Sequence, residues 1–229
     1  MIIFQQGAPK SASSFCSQLL REIAVENGYT QDGMQEILGK KQRGGFVMKL
    51  HTIKDHLNDL PEYSVLKTHA QPFSAEPLLR QNLAIGFVTI RDPLDSVRSL
   101  LDHAEASRAN NKDEFADVTT AEEAGRIILL HLAYSMMWLR NPNVFPVYYD
   151  QLRSKPHKAA VMMAEKIGLP VNPRRIARKF SDKTKIRRFN IGEAGRGQNL
   201  LAENDRQNLA RMFAIFYESQ SWVNKTKVT

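Results

Sequence analysis

The stretch Leu83 to Ile90, LAIGFVTI, constrains the fold more than any other. Apart from Thr89 it is apolar or glycine throughout, the pattern of a strand buried on both faces. Such strands sit in parallel sheets covered by helices on both sides. The run passes directly into Arg91-Asp92-Pro93. Pro93 suits the first turn of a helix, which would continue through Val97, Leu100, Leu101 and Ala104. The chain opens in the same way. Met1-Ile2-Ile3-Phe4 leads into Gly7-Ala8-Pro9-Lys10-Ser11-Ala12-Ser13-Ser14, and a helical pattern follows at Phe15, Leu19, Leu20 and Ile23.

These patterns predict strands over 2–5, 63–67 (YSVLK), 83–90 and 144–149 (VFPVYY), the last despite Pro146, with the first strand central. Helices are predicted over 12–27, from Pro93, and over 121–140, the last stopped by Asn141-Pro142. Others follow over 155–167, closed by Gly168, then 174–180 and 203–217. A loop with three glycines is expected over 188–198. Strands alternating with helices predict an α/β fold of three layers, a central parallel sheet flanked by helices. With no linker or repeat, the 229 residues read as a single domain, 1–229.

Several function classes recede on composition. The longest apolar run is too short to span a bilayer, so no stable membrane insertion is expected. No basic segment followed by an apolar one opens the chain, so no secretory signal is expected either. Cys16 is the only cysteine; that excludes an internal disulfide, suits a reducing cytoplasm, and reads as a small buried hydrophobe. The six histidines show no zinc-binding spacing, and no metal is expected. The net charge of +8 fits a polyanionic partner. Much of it lies between Arg174 and Arg196, without the interleaved aromatics of a single-strand nucleic-acid platform.

Four segments carry chemistry. The loop from Gly7 to Ser14 joins a strand to a helix, so backbone N–H groups and the helix dipole would favour an anion there, aided by Lys10 and the hydroxyls. It is not a Walker A loop, because Pro9 precedes the lysine and the second glycine is missing. The bland alternative is a serine-rich helix cap with a solvated lysine. Leu66-Lys67-Thr68-His69 ends a strand, where ligands bind in open α/β sheets; Lys67 and His69 share a face if the strand continues. Ile90-Arg91-Asp92-Pro93-Leu94-Asp95-Ser96-Val97-Arg98-Ser99 again runs off a strand, and Arg91 could fork onto a phosphate flanked by Ser99. Its alternative is an Arg91–Asp95 ion pair with Ser99 exposed. The fourth segment is Tyr148-Tyr149-Asp150-Gln151-Leu152, followed by Lys155-Pro156 and Gly168-Leu169-Pro170.

In this order the four segments resemble the sulfotransferases that use 3'-phosphoadenosine 5'-phosphosulfate (PAPS), especially the soluble type that sulfates hydroxyls. GAPKSASSF resembles their phosphosulfate loop, usually P-K-S-G-T-T-W; LKTH resembles their catalytic strand end; IRDPLDSVRS resembles their 3'-phosphate segment. The likeness runs across residues 3 to 200 and implies the P-loop NTPase-like sulfotransferase fold. It implies PAPS as co-substrate, the 3',5'-bisphosphate PAP as product, and no metal. Lys10 would contact the sulfuryl group and the leaving phosphate, with Ser11, Ala12, Ser13 and Ser14 holding the 5'-phosphate. His69 would be the general base, with Lys67 stabilising charge beside it. Arg91 and Ser99 would bind the 3'-phosphate. Tyr149 would face the adenine, Phe15 takes the place of a base-stacking Trp, and Ser181 matches a Thr that meets the base.

The chain also departs from the family pattern. Ala12 replaces a glycine. A basic R-K-G grip is absent near Gly192 and Gly195, so Arg196, or Arg187 with Arg188, is expected to substitute. Lys183 stands where an aromatic is usual. The expected partner is a small-molecule or glycan hydroxyl or amine acceptor, with room for a homodimer and without nucleic acid. The competing readings are a P-loop-type small-molecule kinase, with Ser11 on Mg²⁺, and a basic nucleic-acid-binding module.

Overall fold

The computed structural model describes residues 1–31, 57–186 and 193–225. Four strands form one parallel sheet in the order β2-β1-β3-β4. They are β1 (Ile2–Gly7), β2 (Ser64–Thr68), β3 (Ala84–Ile90) and β4 (Val144–Tyr148). The first strand is therefore central, as its place before the loop predicts. The register aligns Gln6 with Thr68 and Val88, and Ile90 with Tyr148, so the carboxyl ends of all four strands finish together. Pro146 pairs with Val88 in β4, which has a neighbour on one side only within the described sheet. There its missing N–H leaves no ladder position unfilled.

The chain divides into two compact units. The first comprises Met1–Arg91 with Tyr134–Gly192 and holds the sheet. Helix α1 (Ser13–Glu26) lays Phe15, Leu19, Leu20 and Ile23 on the sheet face carrying Ile3, Val65 and Phe87. A fully buried Leu contributes about 1.5–3 kcal/mol, so Leu19 and Leu20, both at 0% exposure, anchor this layer. The short helix α2 (Glu76–Arg80) lies in a stretch for which the sequence pattern predicts neither strand nor helix.

The second unit comprises Asp92–Ala133 with Glu193–Thr229 and is helical in its described residues. Asp92 caps α3 (Pro93–Ala109) by accepting from the Asp95 amide at 3.1 Å, with Pro93 in the first turn. Helix α4 (Ala121–Trp138) opens on a capping box. The Glu123 amide donates to Thr120 Oγ1, and Glu123 Oε2 accepts from the Thr120 amide. The last turn of α4, from Tyr134, belongs to the first unit. It covers the opposite face of the sheet, where Phe4 and Trp138 place their rings 5.5 Å apart.

The remaining helices of the first unit are α5 (Tyr149–Ser154), α6 (Pro156–Ile167) and α7 (Pro173–Phe180). Gly168 ends α6 at φ 79° in the left-handed region, as a C-cap glycine does. Tyr149 begins a helix instead of ending the strand predicted over 144–149. The second unit ends with α8 (Arg196–Leu200), α9 (Glu203–Met212) and α10 (Ala214–Lys225). A break at Phe213 replaces the single helix expected over 203–217, and α8 starts inside the expected glycine loop. The expectations on Arg187, Arg188 and Gly192 lie outside the described residues.

Candidate active site

The site is assembled where the carboxyl ends of β1, β2, β3 and β4 meet, and its centre is the loop from Gly7 to Ser14. That loop is tightly built. Gly7 lies so close to β3 that a Cβ there would stand 2.0 Å from Thr89 Oγ1 and 2.6 Å from Ser11 Oγ; only glycine fits. Lys10 and Ala12 both take left-handed backbone, at φ 66° and φ 69°, unusual for residues with a Cβ. This folds the loop back so that α1 starts at Ser13. No side chain caps that helix start and no acidic residue stands in its first turn. An anion would meet the positive end of the helix dipole without competition from an internal carboxylate.

Two cationic side chains from neighbouring strands converge on the loop. Lys67 Nζ donates to Ser14 Oγ at 2.9 Å. Arg91 Nη1 donates to the Lys10 carbonyl at 3.0 Å, and its guanidinium lies 4.0 Å above the Tyr149 ring. That stack is a cation–π contact, so Tyr149 orients Arg91 at the start of α5. Lys67 is also felt beneath the loop. Burial pushes the Cys16 thiol far up from its ordinary value, and the Lys67 charge opposes that shift. Cys16 is fully buried beside Met163, the small hydrophobe its sequence context predicts.

The strand carrying Lys67 ends at Thr68, so His69 does not continue the alternation. Thr68 Oγ1 accepts from the Ala70 amide at 3.0 Å, and the turn brings His69 Nδ1 to 2.7 Å from the Gly7 carbonyl oxygen. A carbonyl only accepts, so Nδ1 carries the proton in this contact and Nε2 is the basic nitrogen of the neutral ring.

Other expected site residues are placed differently. Ser11 is buried, donating its hydroxyl to the Ala8 carbonyl at 2.7 Å with Thr89 Oγ1 at the same distance. It braces the loop from inside. Ser13 is buried and Ser14 half-buried. Phe15 is 6% exposed and meets Phe180 edge to face at 5.3 Å; its ring belongs to the core under α1 and not to an open stacking face. Ser181 is exposed at the end of α7 and donates to the Arg178 carbonyl.

Ser99 and Arg196 lie in the second unit. Ser99 is 3% exposed, against the alternative that left it on the surface. Arg196 is 9% exposed and donates to Asp102 Oδ2 at 2.7 Å, while Arg98 holds the other carboxylate oxygen. Burial tends to raise the Asp102 pKa, but the hydrogen bonds from Arg98 and Arg196 outweigh it and hold the carboxyl below its ordinary value. Asp95 accepts from the amides of Gly195 and Gly197 at 2.8 and 2.7 Å.

Sequence reasoning missed Thr89, the Gly7 carbonyl and Asp102, and gave Asp95 only as a partner for Arg91. Thr89 was signalled as the one hydroxyl in an otherwise apolar strand. A backbone carbonyl leaves no signal in the sequence at all. No group of three or more metal-ligating side chains occurs among the described residues, and no described helix is long and apolar enough to cross a membrane.

No protein-family model matches the chain, and no curated protein matches it. Solved structures do. Mouse sulfotransferase SULT7A1 complexed with PAP superposes with a TM-score of 0.61 at 14% identity, over 93% of this chain and 82% of that one. Retinol dehydratase in a complex with retinol and PAP gives 0.59 at 14% identity, over 93% and 80%. The chain thus has the sulfotransferase fold, built on the parallel sheet and strand-end loop described above.

Proposed function

We propose that this protein is a sulfotransferase that binds PAPS at the carboxyl ends of β1 to β4 and moves its sulfuryl group to a hydroxyl or amine. The observation that carries the reading is the convergence of Lys67 and Arg91 on the Gly7–Ser14 loop, at 2.9 and 3.0 Å from Ser14 Oγ and the Lys10 carbonyl. Both structural neighbours named above were determined with PAP, which supports the same nucleotide here. PAPS itself needs such a site, because its product carries about four negative charges near neutral pH.

In this reading Lys10, the loop amides and Ser13 with Ser14 receive the 5'-phosphosulfate, and Arg91 receives the 3'-phosphate. Ser99 is assigned to the 3'-phosphate by the sequence resemblance. The acceptor oxygen forms a bond to sulfur as the bridging oxygen leaves with its electron pair. The acceptor proton passes to His69 Nε2. Lys10 and Lys67 neutralise charge growing on the bridging oxygen. Catalysis is then positioning and electrostatics, as in phosphoryl transfer. The whole chain, 1–229, acts as one catalytic domain.

The kinase alternative needs the residue after the loop lysine to present its hydroxyl to Mg²⁺. That residue is Ser11, whose hydroxyl is instead turned to Ala8 and Thr89. Calorimetry with PAP, AMP and Mg-ATP tests the choice. PAP is expected to bind at least about tenfold more tightly than AMP, which lacks the phosphate assigned to Arg91. Equal affinity for AMP, or tighter Mg-ATP, would overturn the sulfotransferase reading.

A further inference from the structure

We propose that one turn of α4, Ser135 to Trp138, acts with Thr68 to position His69 so that its basic nitrogen is Nε2. This inference rests on the reading of His69 as the general base and adds the residues that would prepare it. Ser135, Trp138 and Thr68 are positioning residues: each acts on the imidazole through another group.

Two things must be fixed for the ring to hold one tautomer, the carbonyl that accepts from Nδ1 and the backbone that carries the ring. The carbonyl belongs to Gly7. The residue before it, Gln6, is fully buried, and its Oε1 accepts from Ser135 Oγ at 2.9 Å. The backbone on the other side belongs to Ala70, which follows His69. Its amide donates to Thr68 Oγ1 at 3.0 Å, and its carbonyl accepts from Trp138 Nε1 at 2.9 Å. Both backbone groups of Ala70 are therefore held by side chains.

Ser135 and Trp138 are three residues apart and lie on one face of the helix. One helical turn thus grips the strand end that supplies the acceptor carbonyl and the turn that carries the imidazole. Trp138 is also immobilised, since its ring is fully buried against Phe4. Packing alone would be met by a phenylalanine or leucine at this position. The indole N–H adds a directed bond to the residue beside His69, and a buried N–H needs such a partner.

The test is nitrogen NMR of the histidine side chains in the full chain, with and without PAP, using His69→Asn to assign the resonance. Wild-type His69 is expected to show a single tautomer with the proton on Nδ1. Trp138→Phe, Thr68→Val and Ser135→Ala are each expected to give a mixture of tautomers, with PAP affinity within about twofold of wild type because none of the three touches the nucleotide site. Ile176→Val, a buried change in α7 away from His69, serves as the control for a merely structural loss and is expected to leave the spectrum unchanged. A proton on Nε2 in the wild type would overturn the proposal. So would a wild-type spectrum in all three variants. A single Nδ1 tautomer that is lost in Trp138→Phe, in a protein that does not bind PAP, would remove the sulfotransferase reading and leave the positioning of the ring standing.

Discussion

Two turns in this molecule look alike in sequence and are partnered in opposite ways. The loop from Gly7 to Ser14 and the segment from Glu193 to Gly197 each combine glycine, a basic residue and left-handed backbone at the start of a helix. Either would be read as an anion cradle. In the first unit, no side chain caps the helix start and no acid stands in the first turn, while Lys67 and Arg91 approach the loop. In the second unit, the protein supplies its own anions. Asp95 takes the amides of Gly195 and Gly197, and Asp102 takes Arg196. A glycine-rich basic turn therefore does not by itself define a ligand site. On the proposed reading the first turn holds a ligand, whereas in the second Asp95 and Asp102, seven residues apart on the adjoining helix, already take its amides and its arginine.

If that contrast is right, substitutions around the first turn reduce turnover or binding, whereas those around the second reduce stability. The largest effect is expected at His69. Positioned proton transfer is worth about 10²–10⁴ in rate, so His69→Asn should lose turnover by that factor while PAP affinity stays near wild type. The assay needs an acceptor that the wild type turns over. Near-normal turnover in the variant would move the base elsewhere and remove the chemical half of the contrast.

The two arginines sharpen the comparison directly. Arg91→Ala should weaken PAP binding by about 1.5–3 kcal/mol, the range for a hydrogen bond to a charged group. Arg196→Ala should instead cost about 1.5–3 kcal/mol of folding stability, by the same reasoning applied to its bond with Asp102, with PAP affinity little changed. Calorimetry and denaturant unfolding on both variants separate the cases. Loss of PAP affinity in Arg196→Ala without loss of stability would restore the nucleotide role expected for it from sequence.

The sheet was legible in the sequence because burial on both faces leaves a plain mark. Three of the four strands precede predicted helices, and the parallel sense follows from that alternation; the fourth, YSVLK, reads as a strand on β-propensity alone. The short elements were not legible. Glu76–Arg80 and Arg196–Leu200 are single helical turns, too short to show a 3.6-residue period against loop residues. At the site, the sequence marks Lys67, His69 and Arg91 as strand-end residues and Lys10 as a residue of the loop after the first strand, and they stand in those places. What it could not give is how they are oriented. Thr68 ends β2 one residue before His69, a carbonyl three loop residues before Lys10 fixes the ring, and Tyr149 turns into a helix under Arg91. These depend on where a strand stops and on groups from other elements, which periodicity does not encode.

Acid titration probes the second turn alone. The Asp102 carboxyl is held below its ordinary value by Arg98 and Arg196, although burial opposes them. A depressed native value stabilises the fold at pH values above the unfolded one, about 3.9, and that contribution is lost as pH falls through the native value. The stability difference between wild type and Asp102→Asn should therefore be full near neutral pH and shrink below about pH 4. A difference that stayed constant into acid would show that Asp102 is not ionised in its pairing, and the joint would need another account.

The smallest effect compares the two helix starts residue for residue. Ala12 and Gly195 occupy the same position relative to their helices, at φ 69° and φ 79°. Left-handed backbone costs a residue with a Cβ about 1–2 kcal/mol. Replacing glycine by alanine returns only about 0.4–1 kcal/mol through the unfolded chain. Nothing lies within 4 Å of a Cβ added to Gly195, so no clash complicates the balance. Gly195→Ala should thus destabilise by about 0.5–1 kcal/mol. Ala12→Gly runs the other way, relieving the same strain. However, the methyl of Ala12 packs against the core under α1, and losing part of a buried methyl costs up to about 0.8 kcal/mol. Added to the entropy of glycine, this cancels most of the relief, so Ala12→Gly should change stability by less than about 0.5 kcal/mol. Denaturant unfolding of the two variants checks the pair. A gain above 1 kcal/mol in Ala12→Gly would mean that the first turn carries strain its packing does not offset. The alanine there would then need a reason in binding, which PAP affinity measured on the same variant would reveal.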